Sequence, residues 1–279
     1  LQMRKIGFIE DHEHRLALER LRAGYLRPLA SSGPKRASKA PGLVVATSRP
    51  PARVILASHN LNLEGAPLFL LDLARYLASQ GSALTVVSAA DGALRELFAA
   101  CGAQIIILDL SPVFRAGSAA EAQAALAAVG RAIDFRAADL VIGNTFTTFW
   151  AVHAAKAADR PVLYYVHEST SPANFYRDSV HPAVLTLIEQ GLAMADAVSF
   201  TSAATRHYHA GAGQPINAVL TPGWVDIAAI DRWRASNPRD AMRRRLGVKS
   251  GELLVTNVGT VGDRKAQISF ARSVNLFRQ

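Results

Sequence analysis

From residue 53 onward, short apolar runs alternate with longer segments in which apolar residues recur at three- and four-residue spacing. Val54, Ile55 and Leu56 form a β-branched-rich run with no polar face, which predicts a strand buried on both sides. A turn containing Gly65 follows. Leu68, Leu71, Ala74, Leu77 and Ala78 then recur at helical spacing, so a helix is expected to lay one apolar stripe on that strand. Gly81 tolerates left-handed dihedrals and stops the helix, and a second apolar run reaches Val87. Arg53 to Val87 is therefore a βαβ unit. The same alternation predicts strands at 53–58, 83–88, 104–108, 139–143, 161–166, 197–201 and 217–221. Helices are expected between them, including Ala119 to Asp134, Thr147 to Ala158 and Pro182 to Ala195. The fold class is α/β, a Rossmann-like parallel sheet with helices on both faces. Such sheets bind ligands beyond the carboxyl ends of their strands, which makes the loop Ser58 to Pro67 the first candidate site.

The flanks are different. Residues 4–30 show a partial helical stripe of Leu18, Leu21, Tyr25 and Leu29, and Ser31 to Pro51 is rich in Ser, Pro, Gly and Lys, a linker composition. At the other end Pro222-Gly223-Trp224-Val225-Asp226 breaks the alternation. A short helical stretch follows, then Asn237 and Pro238 are expected to open a basic helix, Arg239 to Leu246, ended by Gly247. Glu252 to Val258 reads as a fresh strand, Gly259 to Asp263 as a turn, and Arg264 to Phe277 as a helix. One βα unit cannot cover its own apolar face, so the expectation is a chain cut within a second domain. The expected organisation is an arm and linker at 1–52, a Rossmann-like domain at 53–226, a connection at 227–250 and a truncated second domain at 251–279.

Charge changes this picture only when it is divided. The net charge is +9, but residues 1–52 carry 10 basic and 4 acidic side chains, residues 53–230 carry 10 and 14, and residues 231–279 carry 11 and 4. The predicted sheet domain is acidic, which argues against a nucleic-acid-binding face. The basic ends are candidates for peripheral contact with an anionic membrane surface. Cys101 is the single cysteine, which favours a reducing compartment. No apolar run reaches the roughly 18 residues of a membrane span, and no leader pattern opens the chain, so a cytoplasmic protein is expected.

Four stretches, in this order, carry a specific resemblance: Leu63-Glu64-Gly65-Ala66-Pro67, Tyr165-Val166-His167-Glu168, Pro222-Gly223-Trp224-Val225-Asp226, and Val258-Gly259-Thr260-Val261-Gly262-Asp263-Arg264-Lys265. Over residues 53–279 the chain resembles a family 4 glycosyltransferase of the GT-B architecture, in which two Rossmann-like domains face a cleft. The resemblance implies transfer of a sugar from a nucleotide diphosphate sugar to a lipid-linked or polysaccharide acceptor of the cell envelope, with retained anomeric configuration, no bound cofactor and no catalytic metal. It assigns Arg264 and Lys265, with Gly259 in the preceding turn, to the donor diphosphate. A helix start and cationic donors suit the charge that grows on such a leaving group. It also places Gly65 near the diphosphate, although relatives often have two glycines where this chain has Glu64-Gly65. His167 ends an apolar strand and is the candidate catalytic residue, able to hydrogen-bond sugar hydroxyls or steady charge. Glu64, Asn144 and Glu168 are assigned to the acceptor side. Thr201, Ser202 and Arg206 follow another strand end, where helix capping explains the first two as well.

The family's donor-binding pair of glutamates lies beyond this stretch of sequence, so the chain alone is expected to be inactive or very weak. Two other readings stay open. A nicotinamide-dependent oxidoreductase would share the alternation, yet the first turn has one glycine in place of G-x-G-x-x-G and no acidic residue directly after the second strand. A non-catalytic glycan- or partner-binding module would need only the first domain. Metal binding is disfavoured because His12/His14 and His207/His209 have one-residue spacers in helical context, and no G-x-S-x-G elbow supports serine hydrolysis.

Overall fold

Alternate residues of the first strand bury against different helix layers. Val54 and Leu56 pack with one apolar cluster, and Ile55 and Ala57 with the other. That two-sided burial is why the strand reads as an unbroken apolar run. The computed structural model of the chain describes residues 50–210, 217–223, 225–259 and 265–277. Seven parallel strands form one sheet: β1 (Arg53–Ser58), β2 (Ala83–Ser88), β3 (Gln104–Ile107), β4 (Leu140–Asn144), β5 (Val162–Val166), β6 (Ala197–Phe200) and β7 (Ala218–Leu220). Their order is β3-β2-β1-β4-β5-β6-β7. The winding therefore reverses between β1 and β4, where Val54 lies beside Leu140 and Ala57 beside Gly143. Six of the seven strands fall within the predicted runs, and β4 passes the run 139–143 by one residue, Asn144.

Helices α1 (Gly65–Ser79) and α2 (Arg95–Ala100) lie with the cluster that contains Leu56, Leu70, Leu71, Val86 and Phe98. Helices α3 (Ser111–Phe114), α4 (Ala119–Ala132), α5 (Phe149–Ala157), α6 (Pro172–Tyr176) and α7 (Pro182–Met194) follow, and α4, α5 and α7 build the other cluster around Phe149, Trp150 and Ile188. Helix α8 (Ala203–Ala210) lies between β6 and β7 in the chain. The buried stripe of α1 is Pro67, Leu70, Leu71, Ala74 and Leu77. Leu68, expected in that stripe, is 41% exposed. Beginning the helix at Gly65 puts residue 68 on the shoulder and residues 67, 70 and 74 beneath it. Gly81 behaves as predicted, with φ +87° and its N–H donating to Ala78 O at 2.9 Å.

The chain divides into two units at Val225/Asp226. In the second, α9 (Ile227–Ser236) is capped by Asp226 Oδ1, which accepts from Ala229 N at 2.7 Å. Helix α10 (Arg239–Arg245) ends at Gly247, φ +70°. Asn237 does not cap α10: its Nδ2 donates back to Trp233 O at 2.8 Å and closes α9 instead. An amide between two helices can serve either one, and here the unpaired carbonyls of the earlier helix take it. The predicted strand Glu252 to Val258 is irregular and exposed, with Val258 92% accessible. A parallel strand exists only beside partner strands, and none flanks this segment among the described residues. Helix α11 (Gln267–Phe277) starts three residues later than expected from Arg264, after Ala266 at φ +55°.

Candidate functional site

The carboxyl ends of β1, β4 and β5 converge beside the amino terminus of α1, at the point where the sheet reverses its winding. After β1, Ser58 Oγ donates to Asn60 O at 2.7 Å, and Asn60 Oδ1 accepts from Asn62 N at 3.0 Å. This polar turn leads into Glu64, whose Oε2 lies 3.4 Å from both His59 Nε2 and Asn60 Nδ2. No side-chain hydrogen bond caps α1 and its first turn holds no acidic residue; the N-cap residue Glu64 turns its carboxylate toward His59 and Asn60 instead. A Cβ built on Gly65 would meet nothing within 4 Å.

This loop is held from outside by the loop after β2. Leu94 N donates to Leu61 O at 2.8 Å, and a Cβ on Gly92 would sit 2.3 Å from Leu61 C. Only glycine fits there. Asp91 and Arg95 close that second loop with an ion pair at 2.7 Å.

Asn144, the last residue of β4, is fully buried. Its Nδ2 donates to Ala66 O in the first turn of α1 at 2.9 Å, and its Oδ1 lies 2.8 Å from His167 Nε2. Thr145 follows with φ +75° and ψ 153°, a conformation that costs a non-glycine residue about 1–3 kcal/mol. Its N–H donates to Tyr165 O at 2.8 Å, and its carbonyl accepts from Thr148 Oγ1 at 2.9 Å, which holds the turn in that shape.

His167 directly follows β5, at the carboxyl edge of the sheet as expected. Its ring stands edge-on to Phe69 at 5.1 Å, and burial, with a further contribution from the charge of His59, lowers its pKa to about 4. The imidazole is neutral at physiological pH. Glu168 folds back so that its Oε2 accepts from His167 N at 3.1 Å and Phe146 N at 3.4 Å. Its carbonyl accepts from His209 Nε2 at 2.8 Å, which ties the segment to α8. Burial and the Glu168 charge raise the Tyr164 and Tyr176 hydroxyls above their ordinary range.

Glu64, Gly65, Asn144, His167 and Glu168 are thus gathered at one sheet edge. Gly259 and Lys265 belong to the second unit, where Asn257 Nδ2 donates to Lys265 O at 3.4 Å, and Lys265 precedes α11 instead of starting it. Arg264 lies outside the described residues. Ser202 caps α8, its Oγ accepting from Thr205 N at 3.0 Å. Sequence reasoning missed His59 and Gly92. His59 follows β1 as His167 follows β5, and the strand-end rule that singled out one applies to the other. Gly92 carries no local signal, because the loop that excludes a side chain there is some thirty residues earlier in the chain.

A doubly wound sheet with a polar, partly buried cluster at its switch point defines a Rossmann-like ligand-binding domain. Residues 63–229 match the family described as Glycosyltransferase Family 4, more than half of the chain, and the protein belongs to that family. No curated protein sequence matches it. Among solved structures it is similar to a glycosyltransferase from Rickettsia africae (15% identity, TM-score 0.47, 71% of this chain and 50% of that one). It is also similar to Arabidopsis thaliana UGT89C1 complexed with UDP (14%, TM-score 0.38, 67% and 56%). A third is a UDP-N-acetylglucosamine 2-epimerase described for Listeria monocytogenes (14%, TM-score 0.38, 58% and 43%). The chain spans about half the length of these structures. Among the described residues no helix is long and apolar enough to cross a membrane.

Proposed function

We propose that this domain is the acceptor-side half of a retaining glycosyltransferase, which moves a sugar from a nucleotide diphosphate sugar to a lipid-linked or polysaccharide acceptor. The observation that carries the reading is the neutral His167 beside the uncapped start of α1, inside the family match. The dipole of α1 offers backbone N–H groups to a diphosphate, and the open space at Gly65 lets that group approach the main chain. His167 offers a neutral ring to the sugar, while Glu64 and Glu168 line the acceptor side. The family resemblance assigns Arg264 and Lys265, with Gly259 in the turn before them, to cationic contact with the donor's diphosphate. The bond from the anomeric carbon to the diphosphate breaks as the acceptor hydroxyl attacks, and that hydroxyl's proton leaves with the nucleotide product. No metal is needed to hold the diphosphate in this arrangement. The excess of basic residues in 1–52 and 231–279 supports peripheral contact with anionic lipid, where a lipid-linked acceptor is found.

The test is turnover of a panel of nucleotide sugars by the full natural chain, with His167→Ala alongside. Transfer is expected from one donor, reduced about 10²-fold or more in the variant. Full activity in His167→Ala removes the residue from the site, and glycan binding without turnover of any donor replaces the reading with a binding module.

A further inference from the structure

We infer that Asn144 is a positioning residue that locks the His167 ring with its Nε2 proton turned into the protein and its Nδ1 lone pair toward the ligand. The argument starts from a carbonyl. Ala66 O can only accept a hydrogen bond, so the Asn144 group 2.9 Å from it must be the amide nitrogen. The other end of the same planar amide, 2.8 Å from His167 Nε2, is then its oxygen, also an acceptor. His167 Nε2 must therefore carry the proton. In a neutral imidazole the second nitrogen has none, and Nδ1 is left as an acceptor.

Three elements are joined by this one side chain: the first turn of α1 through Ala66, the end of β4 through Asn144 itself, and the end of β5 through His167. Asn144 is fully buried, so it meets no acceptor substrate directly. Its effect passes through His167. The charged and titratable groups around the ring are His59 after β1, Glu64 paired to it at 3.4 Å, and Tyr165 and Glu168 from β5 and its loop. Phe69 of α1 supplies an apolar wall. Within that setting a ligand must present a donor to Nδ1, such as a hydroxyl or an amide N–H. A fully ionised phosphate oxygen finds no proton there, and the start of α1 is the place for it. The chemical identity of that donor group rests on the proposed transferase reading; the ring's tautomer does not.

The experiment is long-range ¹H–¹⁵N correlation NMR on the histidine-labelled chain, read together with Asn144→Asp and Asn144→Leu. In the wild type, His167 is expected as a single tautomer with Nε2 protonated and Nδ1 bare, and without titration above pH 5. An Nδ1–H form, or an averaged pair of tautomers, overturns the inference. Asn144→Asp puts a carboxylate against Nε2–H, which favours the imidazolium, so the titration midpoint should rise by about 1–3 pH units. Asn144→Leu removes the acceptor without adding a charge; the midpoint should stay low while the two tautomers mix. A Leu variant that keeps the Nε2–H form alone also overturns the inference. In turnover by the full natural chain, the acidic limb of the kcat/KM profile should move up in Asn144→Asp by the same interval, a shift that mere loosening of the fold does not produce. The expected spectra without turnover of any nucleotide sugar leave the positioning role standing and remove the transferase. Turnover with the wrong tautomer does the reverse.

Discussion

At the scale of single residues, His167 links the site to stability. Its pKa falls to about 4 in the folded chain from an ordinary 6.5, because burial disfavours the charged ring. The unfolded chain therefore binds a proton more readily. The sign follows directly: the neutral ring costs nothing above pH 6.5, and stability is lost progressively as pH falls from there through 4. The loss is about 3 kcal/mol if the full interval is traversed. His153, half-buried with Nε2 2.8 Å from Leu187 O, shifts in the same direction, so the test must be a difference. Urea unfolding of the wild type and His167→Gln at pH 7 and pH 4.5 supplies it. The variant is expected to lose less stability over that range, and equal losses would show that His167 is not held neutral. The two histidines were not equally legible in the sequence. His167 stood out because it ends an apolar strand, yet its low pKa depends on Phe69 and His59, which reach it only through the fold.

At the scale of elements, two glycines of neighbouring loops make opposite predictions. Gly65 begins α1 with open space where a side chain would go, whereas Gly92 is pressed against the main chain of Leu61. Gly65→Ala should leave stability unchanged or raise it by up to about 1 kcal/mol, since alanine suits a helix start and narrows the unfolded ensemble. Gly92→Ala should cost about 1–3 kcal/mol by forcing the two loops apart. Denaturant midpoints separate the pair, and donor KM in the full natural chain adds the functional half: it should rise in Gly65→Ala, where only a ligand can sense the new methyl. Unchanged kinetics there would mean that no ligand approaches α1 at this turn. The same contrast explains what the sequence disclosed. The five inner strands were readable because their mostly apolar runs are buried from both faces, and the edge strands β3 and β7, which hold no buried residue, were readable from short apolar runs alone. Leu253, Leu254 and Val255 have that composition too, but a strand is completed by its neighbours, and composition does not report whether they are present. Asn237 was ambiguous for a similar reason, since one amide stood between two helix ends.

At the scale of the whole molecule, stability is concentrated in one unit. Both apolar clusters are built from residues between Val54 and Ala218, and no side chain of α9 or α10 is buried. The second unit is held instead by polar contacts such as Arg243 Nη2, which donates to Lys249 O at 2.9 Å and Glu252 O at 2.7 Å. Exposed hydrogen bonds of this kind contribute little net free energy, because water competes for the same groups. The two units should therefore open independently, the first only by global unfolding and the second by local fluctuation. Amide exchange followed by mass spectrometry on the native chain tests this. Protection in β1, β4 and β5 should exceed that in α9 and α10 by on the order of 100-fold or more. Comparable protection would mean that the basic helices are covered by a surface, and the search for what covers them would then begin with Ile227, Ile230 and Trp233, which are exposed along α9.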